Sequence, residues 1–179
     1  QGPSTLIQAS NLQLLEPQDT SICTRDTLSI SWKPGGINRV DLSYVPAGGG
    51  APRFIARQLD STQTPFSWVV PDTIPAGDYR FQVADTSRLQ LNTGDTVALN
   101  LPPTIQLADT LQLCEGDTLQ LNASGAQSYQ WQSSTALSDS TIATPMAYPA
   151  SSRTYYLRAF STGACSALDS VFVQANPVD

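Results

Sequence analysis

The sequence predicts an all-β protein: two tandem antiparallel β-sandwiches behind an extended N-terminal arm. Three observations carry this. Strict alternation in Val40-Asp41-Leu42-Ser43-Tyr44 and in Tyr79-Arg80-Phe81-Gln82-Val83 sends one face to a core and the other to water. Clusters of Gly, Pro and Asp, as at Pro34-Gly35-Gly36, Gly48-Gly49-Gly50 and Pro75-Ala76-Gly77, separate such runs, and no segment holds a helical period. A weak repeat then divides the chain. Cys23-Thr24-Arg25-Asp26-Thr27-Leu28-Ser29-Ile30 returns as Cys114-Glu115-Gly116-Asp117-Thr118-Leu119-Gln120-Leu121.

In chain order, residues 1–11 form the arm. Its centre, Leu6 and Ile7, is apolar with good strand propensity. Two readings stay open for it: donation of a strand to a neighbouring subunit, or extension of the first strand on its own sandwich. Residues 12–101 form the first sandwich, with strands expected at 11–15, 27–32, 39–45, 53–59, 66–70, 78–84 and 96–101. Asn100-Leu101-Pro102-Pro103-Thr104 reads as a stiff connection, because neither proline can donate to a ladder; the linker is set at 102–104. Residues 105–179 form the second sandwich, with strands at 110–113, 118–123, 128–132, 146–148, 154–160 and 170–175. Trp32 and Trp131 are each placed to fill a core.

Composition narrows the function classes. The 179 residues carry 15 acidic and 9 basic side chains, net charge −6, and the bases are scattered without a run, so nucleic acid is not an expected partner. No apolar run approaches the roughly 20 residues of a membrane span, and no membrane insertion is expected. Without His, neither a Ser/His/Asp triad nor a Cys/His pair can form, and three cysteines spread over two halves are too few for zinc. Glu16 and Glu115 are the only glutamates, and nothing pairs carboxylates for glycoside hydrolysis. No Asp-x-Asp-x-Asp series suggests calcium. The expectation is therefore no catalytic residue, no metal and no cofactor. Tyr44, Phe54, Tyr148 and Tyr155 are candidates for a sugar platform, but aromatics on alternating strands pack as core or cross-strand pairs, and that reading is preferred for all but Tyr148. Beginning at Gln1 without Met, the chain reads as the mature product of an exported protein. In that setting Cys114 and Cys165, at opposite ends of the second half's strand signals, are expected to form a disulfide worth about 3–4 kcal/mol in the chain-entropy model. Cys23 is left over, as a free thiol or an intermolecular link.

Ten of the thirteen aspartates are followed directly by Ser or Thr, although Ser and Thr make up only 38 of 179 residues and chance would give about three such pairs. The hydroxyls are those of Thr20, Thr27, Ser61, Thr73, Thr86, Thr96, Thr110, Thr118, Ser140 and Ser170, and a small, β-branched or aliphatic residue usually follows. The unit is similar to the O-glycosylation signal of proteins exported by Bacteroidota, which implies covalent glycans at these ten positions. Turn punctuation accounts for part of the pattern, since Asp binds nearby backbone and Thr starts strands.

Leu14-Leu15-Glu16-Pro17, Ile30-Ser31-Trp32, Val40-Asp41-Leu42, Phe66-Ser67-Trp68-Val69-Val70-Pro71 and Gly77-Asp78-Tyr79-Arg80-Phe81-Gln82-Val83-Ala84-Asp85 resemble, in that order, the Ser/Thr-rich cell-wall-anchored domain family, a wall-associated β-sandwich without catalytic residues. Cys23 departs from its pattern. Cys114-Glu115-Gly116-Asp117, Tyr129-Gln130-Trp131, Ile142-Ala143-Thr144-Pro145, Thr154-Tyr155-Tyr156-Leu157 and Gly163-Ala164-Cys165 resemble the Ig-like or PKD-like repeats of Bacteroidota adhesins and gliding-associated proteins. That resemblance implies Ig-like sandwiches acting as spacers or binding modules, with the two matching cysteines paired. The combined expectation is an extracellular or cell-surface homopolymer: the glycosylated subunit of a fibre or sheath built by strand addition. Its rival is a spacer or carbohydrate-binding pair from a large adhesin.

Overall fold

The computed structural model describes residues 12–17, 21–86, 90–132 and 136–177. The arm residues Leu6 and Ile7, and the acceptor Thr20, lie outside them. Two compact units divide between Asn100 and Leu101.

The first unit contains β1 (Gln13–Glu16), β2 (Ser21–Cys23), β3 (Thr27–Lys33), β4 (Arg39–Pro46), β5 (Arg53–Asp60), β6 (Phe66–Val69), β7 (Gly77–Asp85) and β8 (Leu91–Asn100). They form a three-stranded sheet, β1-β3-β6, and a five-stranded sheet, β2-β8-β7-β4-β5. Alternation explains how these sheets meet. Leu28, Ile30 and Trp32 from β3 face Val40, Leu42 and Tyr44 from β4 and Phe81 and Val83 from β7, all in one buried cluster. Tyr44 is its aromatic hub, with ring centroids 5.6 Å from Trp68 and 5.6 Å from Tyr79. Tyr79, at the start of β7, donates its hydroxyl to the Pro75 carbonyl four residues upstream at 2.9 Å, the corner bond seen in Ig-like sandwiches.

Two features of this unit exceed the sequence expectation. A three-residue strand, β2, pairs parallel to β8, so the chain's opening segment serves both sheets. Strand β8 also begins at Leu91, five residues before the strand expected at 96–101. The reason is local. The Asn92 side chain accepts the Leu14 N–H at 2.9 Å, tying β1 to β8, and a Cβ on Gly94 would sit 2.6 Å from Leu14 Cδ2. Glycine here permits close approach, and the register shift opposite Arg80 and Gln82 makes Gly94-Asp95 a bulge in β8, two residues facing Phe81 alone.

The second unit contains β9 (Thr110–Cys114), β10 (Leu119–Gln120), β11 (Ser128–Trp131), β12 (Met146–Ala147), β13 (Arg153–Phe160) and β14 (Ser166–Asn176). The larger sheet runs β11-β13-β14-β9 and the smaller is β10-β12. Tyr155, Leu157 and Ala159 from β13, with Val171 and Val173 from β14, are fully buried against Leu121 and Ala147. The bulky Trp131 fills this core from β11. Here an early strand again pairs parallel to the last, β9 with β14. With two facing sheets, mainly antiparallel pairing and an early strand parallel to the last, β2 with β8 and β9 with β14, each unit is an Ig-like β-sandwich.

Candidate functional site

The repeated Cys-x-x-Asp segments build the same turn in both units. The Asp26 N–H donates to the Cys23 carbonyl at 3.2 Å, and the Asp117 N–H to the Cys114 carbonyl at 3.1 Å. The third residue is left-handed in each, Arg25 at φ 72° and Gly116 at φ 89°. Thr27 and Thr118 follow these turns and are exposed.

A second repeated device is the Asp-Ser-Thr turn. Asp60 Oδ1 accepts both the hydroxyl and the N–H of Thr62, at 2.7 and 2.9 Å; Asp139 Oδ1 accepts both from Thr141 at 2.7 Å each. These bonds favour the ionised carboxylate, so the Thr62 hydroxyl and then its N–H hold Asp60 below the ordinary aspartate range, and Thr141 does the same for Asp139. Turn chemistry therefore accounts for these two Asp-Ser pairs directly.

Of the nine acceptor hydroxyls within the described residues, Thr27, Thr73, Thr86, Thr110 and Thr118 are exposed, while Thr96, Ser140 and Ser170 are half-buried. Ser61 is only 4% exposed, and its carbonyl accepts the Trp32 indole N–H. It lacks the exposure a glycan needs. Most of these Asp residues sit where strands begin or end, and Asp95 sits in the bulge of β8, but Asp169-Ser170 lies inside β14 in regular register with β13, where turn punctuation has no role.

The cysteines correct the sequence reading. Cys165 and Cys23 are disulfide-bonded, and Cys114 is an exposed free thiol. The expected Cys114–Cys165 bridge is absent because of register. Cys114 pairs with Asn176 at the end of β14, whereas Cys165 immediately precedes Ser166 at its start. Eleven residues of strand separate them by about 33 Å, against the roughly 7 Å Cα limit for a disulfide. Cys23, expected as a free thiol or an intermolecular link, is not a free thiol.

Among the aromatic candidates, Tyr44 and Tyr155 are core residues. Burial raises the Tyr155 hydroxyl's pKa, opposed by the Arg153 charge, and that hydroxyl donates to the Ala136 carbonyl at 3.3 Å. Tyr148 is half exposed, with its hydroxyl donated to the Leu137 carbonyl at 2.8 Å. Phe54 lies on the outer face of the five-stranded sheet, opposite Ser43 and beneath the Arg57 guanidinium at 3.6 Å from the ring centroid.

That face holds a cleft that sequence reasoning missed. It is lined by Asp41, Ser43, Pro52, Phe54, Gln82, Ala84 and Leu91 and has a volume of about 110 Å³. Alternation assigned Asp41 and Ser43 to water, yet they are only 8% and 6% exposed. Among the described residues no group of three or more His, Cys, Asp or Glu side chains converges on a common point. No helix among them is long and apolar enough to cross a membrane.

No family profile and no curated protein matches the sequence. Solved structures similar to it are tandem or multidomain proteins. The Ig1 and Ig2 domains of DIP-gamma match with a TM-score of 0.38 and 12% identity over 92% of this chain and 94% of that one. The insect immune protein hemolin matches with a TM-score of 0.44 and 14% identity, covering 94% of this chain and 48% of hemolin. SGBP-B of the Bacteroides ovatus mixed-linkage glucan utilization locus, solved with a mixed-linkage heptasaccharide, gives 0.36 and 11%, covering 94% and 46%. This chain spans about half the length of the latter two. The Ig-like assignment rests on strand order, not on these scores.

Proposed function

We propose that this chain is a non-catalytic, O-glycosylated extracellular structural protein, the subunit of a surface fibre or sheath that assembles by β-strand addition. The observation that carries the reading is the placement of the Asp-Ser/Thr hydroxyls: five are exposed, in both units, and one pair, Asp169-Ser170, stands within a regularly paired strand where a turn role does not explain it. Sheet edges supply the means of assembly. Among the described strands β1, β6, β2 and β5 end their sheets in the first unit, and β11, β9, β10 and β12 do so in the second. Arg53 and Arg57 on β5 are the charges that discourage indiscriminate pairing, and a glycan on Thr110 at the start of β9 serves the same end. The arm carrying Leu6 and Ile7 is the donor strand in this reading, and head-to-tail donation makes an open polymer when the rotation does not close.

Sedimentation of the chain purified from its host tests the assembly. A polymer that dissociates on deletion of residues 1–10 supports the fibre. A monomer that binds immobilised glycans supports an adhesin module instead.

A further inference from the structure

We propose that the cleft on the outer face of the five-stranded sheet receives one basic side chain, lysine or arginine, from a partner protein. The inference stands apart from glycosylation and strand addition. Strand register builds the cleft: Phe54 of β5 lies opposite Ser43 of β4, Ser43 opposite Gln82 of β7, Asp41 opposite Ala84, and Ala84 opposite Leu91 of β8. All seven lining residues come from, or directly precede, these four strands.

The floor is polar and organised. The Ser43 hydroxyl donates to Gln82 Oε1 at 3.4 Å, and Gln82 Nε2 donates onward to the Thr93 hydroxyl at 3.3 Å. Asp41 Oδ1 accepts the Gln58 N–H at 2.9 Å, from a β5 residue at φ 58° beside an irregularity in the β4–β5 register. That bond secures one carboxylate oxygen, and among the described residues no cation forms an ion pair with Asp41, the one such pair being Arg25–Asp72. Of the nearby arginines, Arg57 is stacked over Phe54 and Arg39 donates to the Gln58 carbonyl at 2.8 Å. The walls, Pro52, Phe54, Ala84 and Leu91, are apolar.

A negative group at the base of apolar walls matches a cation on an aliphatic stem, because the stem packs on the walls while the head gains a charge-assisted hydrogen bond. The volume of about 110 Å³ is several times the roughly 10–15 Å³ that admits one water, and suits one side-chain terminus. A single carboxylate falls far short of the six to eight oxygens calcium takes. The chain's own arm contains no Lys or Arg among residues 1–11, so it is not the occupant.

The test is an amide-resolved NMR titration of the full chain with n-butylammonium and n-butylguanidinium chloride, with n-butanol and methyl glucoside as uncharged controls. The proposal expects saturable shifts confined to residues around Asp41, Ser43, Gln82 and Ala84 with either cation. Asp41→Asn should weaken binding at least tenfold. Ala84→Leu, which fills the cleft and leaves the carboxylate in place, should abolish it and carries the test if Asp41→Asn does not fold. Absence of saturable shifts, undiminished binding in a folded variant, or equal binding of an uncharged control would overturn the proposal.

Discussion

The Trp32 indole N–H donates to the Ser61 carbonyl at 3.0 Å, fastening the core of the first unit to the Asp-Ser-Thr turn that closes β5. The second unit has its own version. Trp131 donates its indole N–H to the Ile142 carbonyl at 2.9 Å and its backbone N–H to the Ser140 carbonyl at 2.7 Å, beside the Asp139 turn. The tryptophans stand on different strands, β3 and β11, yet each joins a core ring to an Asp-Ser-Thr turn. These acidic pairs are thus part of how each sandwich closes.

Replacing Trp32 or Trp131 by Phe removes the indole donor while keeping a ring. Each change leaves a carbonyl without its partner and is expected to cost about 1–3 kcal/mol, read from the urea midpoint. An unchanged midpoint in both variants would show that these bonds do not anchor the turns.

The same turns predict an acid branch. Asp60 and Asp139 have folded pKa values below their unfolded ones, so the unfolded chain binds more protons as pH falls. Their contribution is fully present above about pH 3.9, the free aspartate value, and is lost as pH drops through the lower folded values. Urea midpoints measured between pH 2 and 5 should fall less steeply in the Asp60→Asn/Asp139→Asn double variant than in the parent chain. Parallel curves would remove both groups from the acid transition.

Gly125 has φ 92°, and a Cβ there would lie 2.0 Å from the Thr104 carbonyl oxygen, which backbone cannot easily vacate. Gly125→Ala should therefore cost at least about 2 kcal/mol, combining left-handed strain with a clash. Gly116→Ala, also at positive φ but with nothing within 4 Å, should cost only about 1 kcal/mol. Equal losses would mean that the Thr104 contact does not matter.

Thiol chemistry checks the cysteine assignment. Native chain should react with one equivalent of iodoacetamide, at Cys114, and Cys23 and Cys165 should label only after reduction. Labelling of Cys23 in unreduced protein would contradict the structure.

Much of the architecture was legible because alternation is a local signal. The core faces of β4 and β7 follow directly from Val40, Leu42, Tyr44, Phe81 and Val83. Strand β2 was not legible, since Ser21-Ile22-Cys23 is too short to show a period and becomes a strand only by pairing with β8. The Cys114–Cys165 expectation failed for a related reason: both cysteines border β14, and only its register reveals that they border opposite ends. The cleft was hidden because burial of Asp41 depends on an irregular β5 edge, which strict alternation does not foresee. The Asp-Ser/Thr pattern was conspicuous in the sequence, but its division into turn-forming and exposed members needed the three-dimensional neighbours of each hydroxyl.

Glycopeptide mapping of the chain isolated from its host, together with its intact mass, tests the central claim most directly. The account predicts a mass above the bare 19.1 kDa, with sugar on exposed hydroxyls such as Thr27, Thr73, Thr110 and Thr118 and none on buried Ser61. A single species at 19.1 kDa, with every Asp-Ser/Thr peptide unmodified, would contradict it.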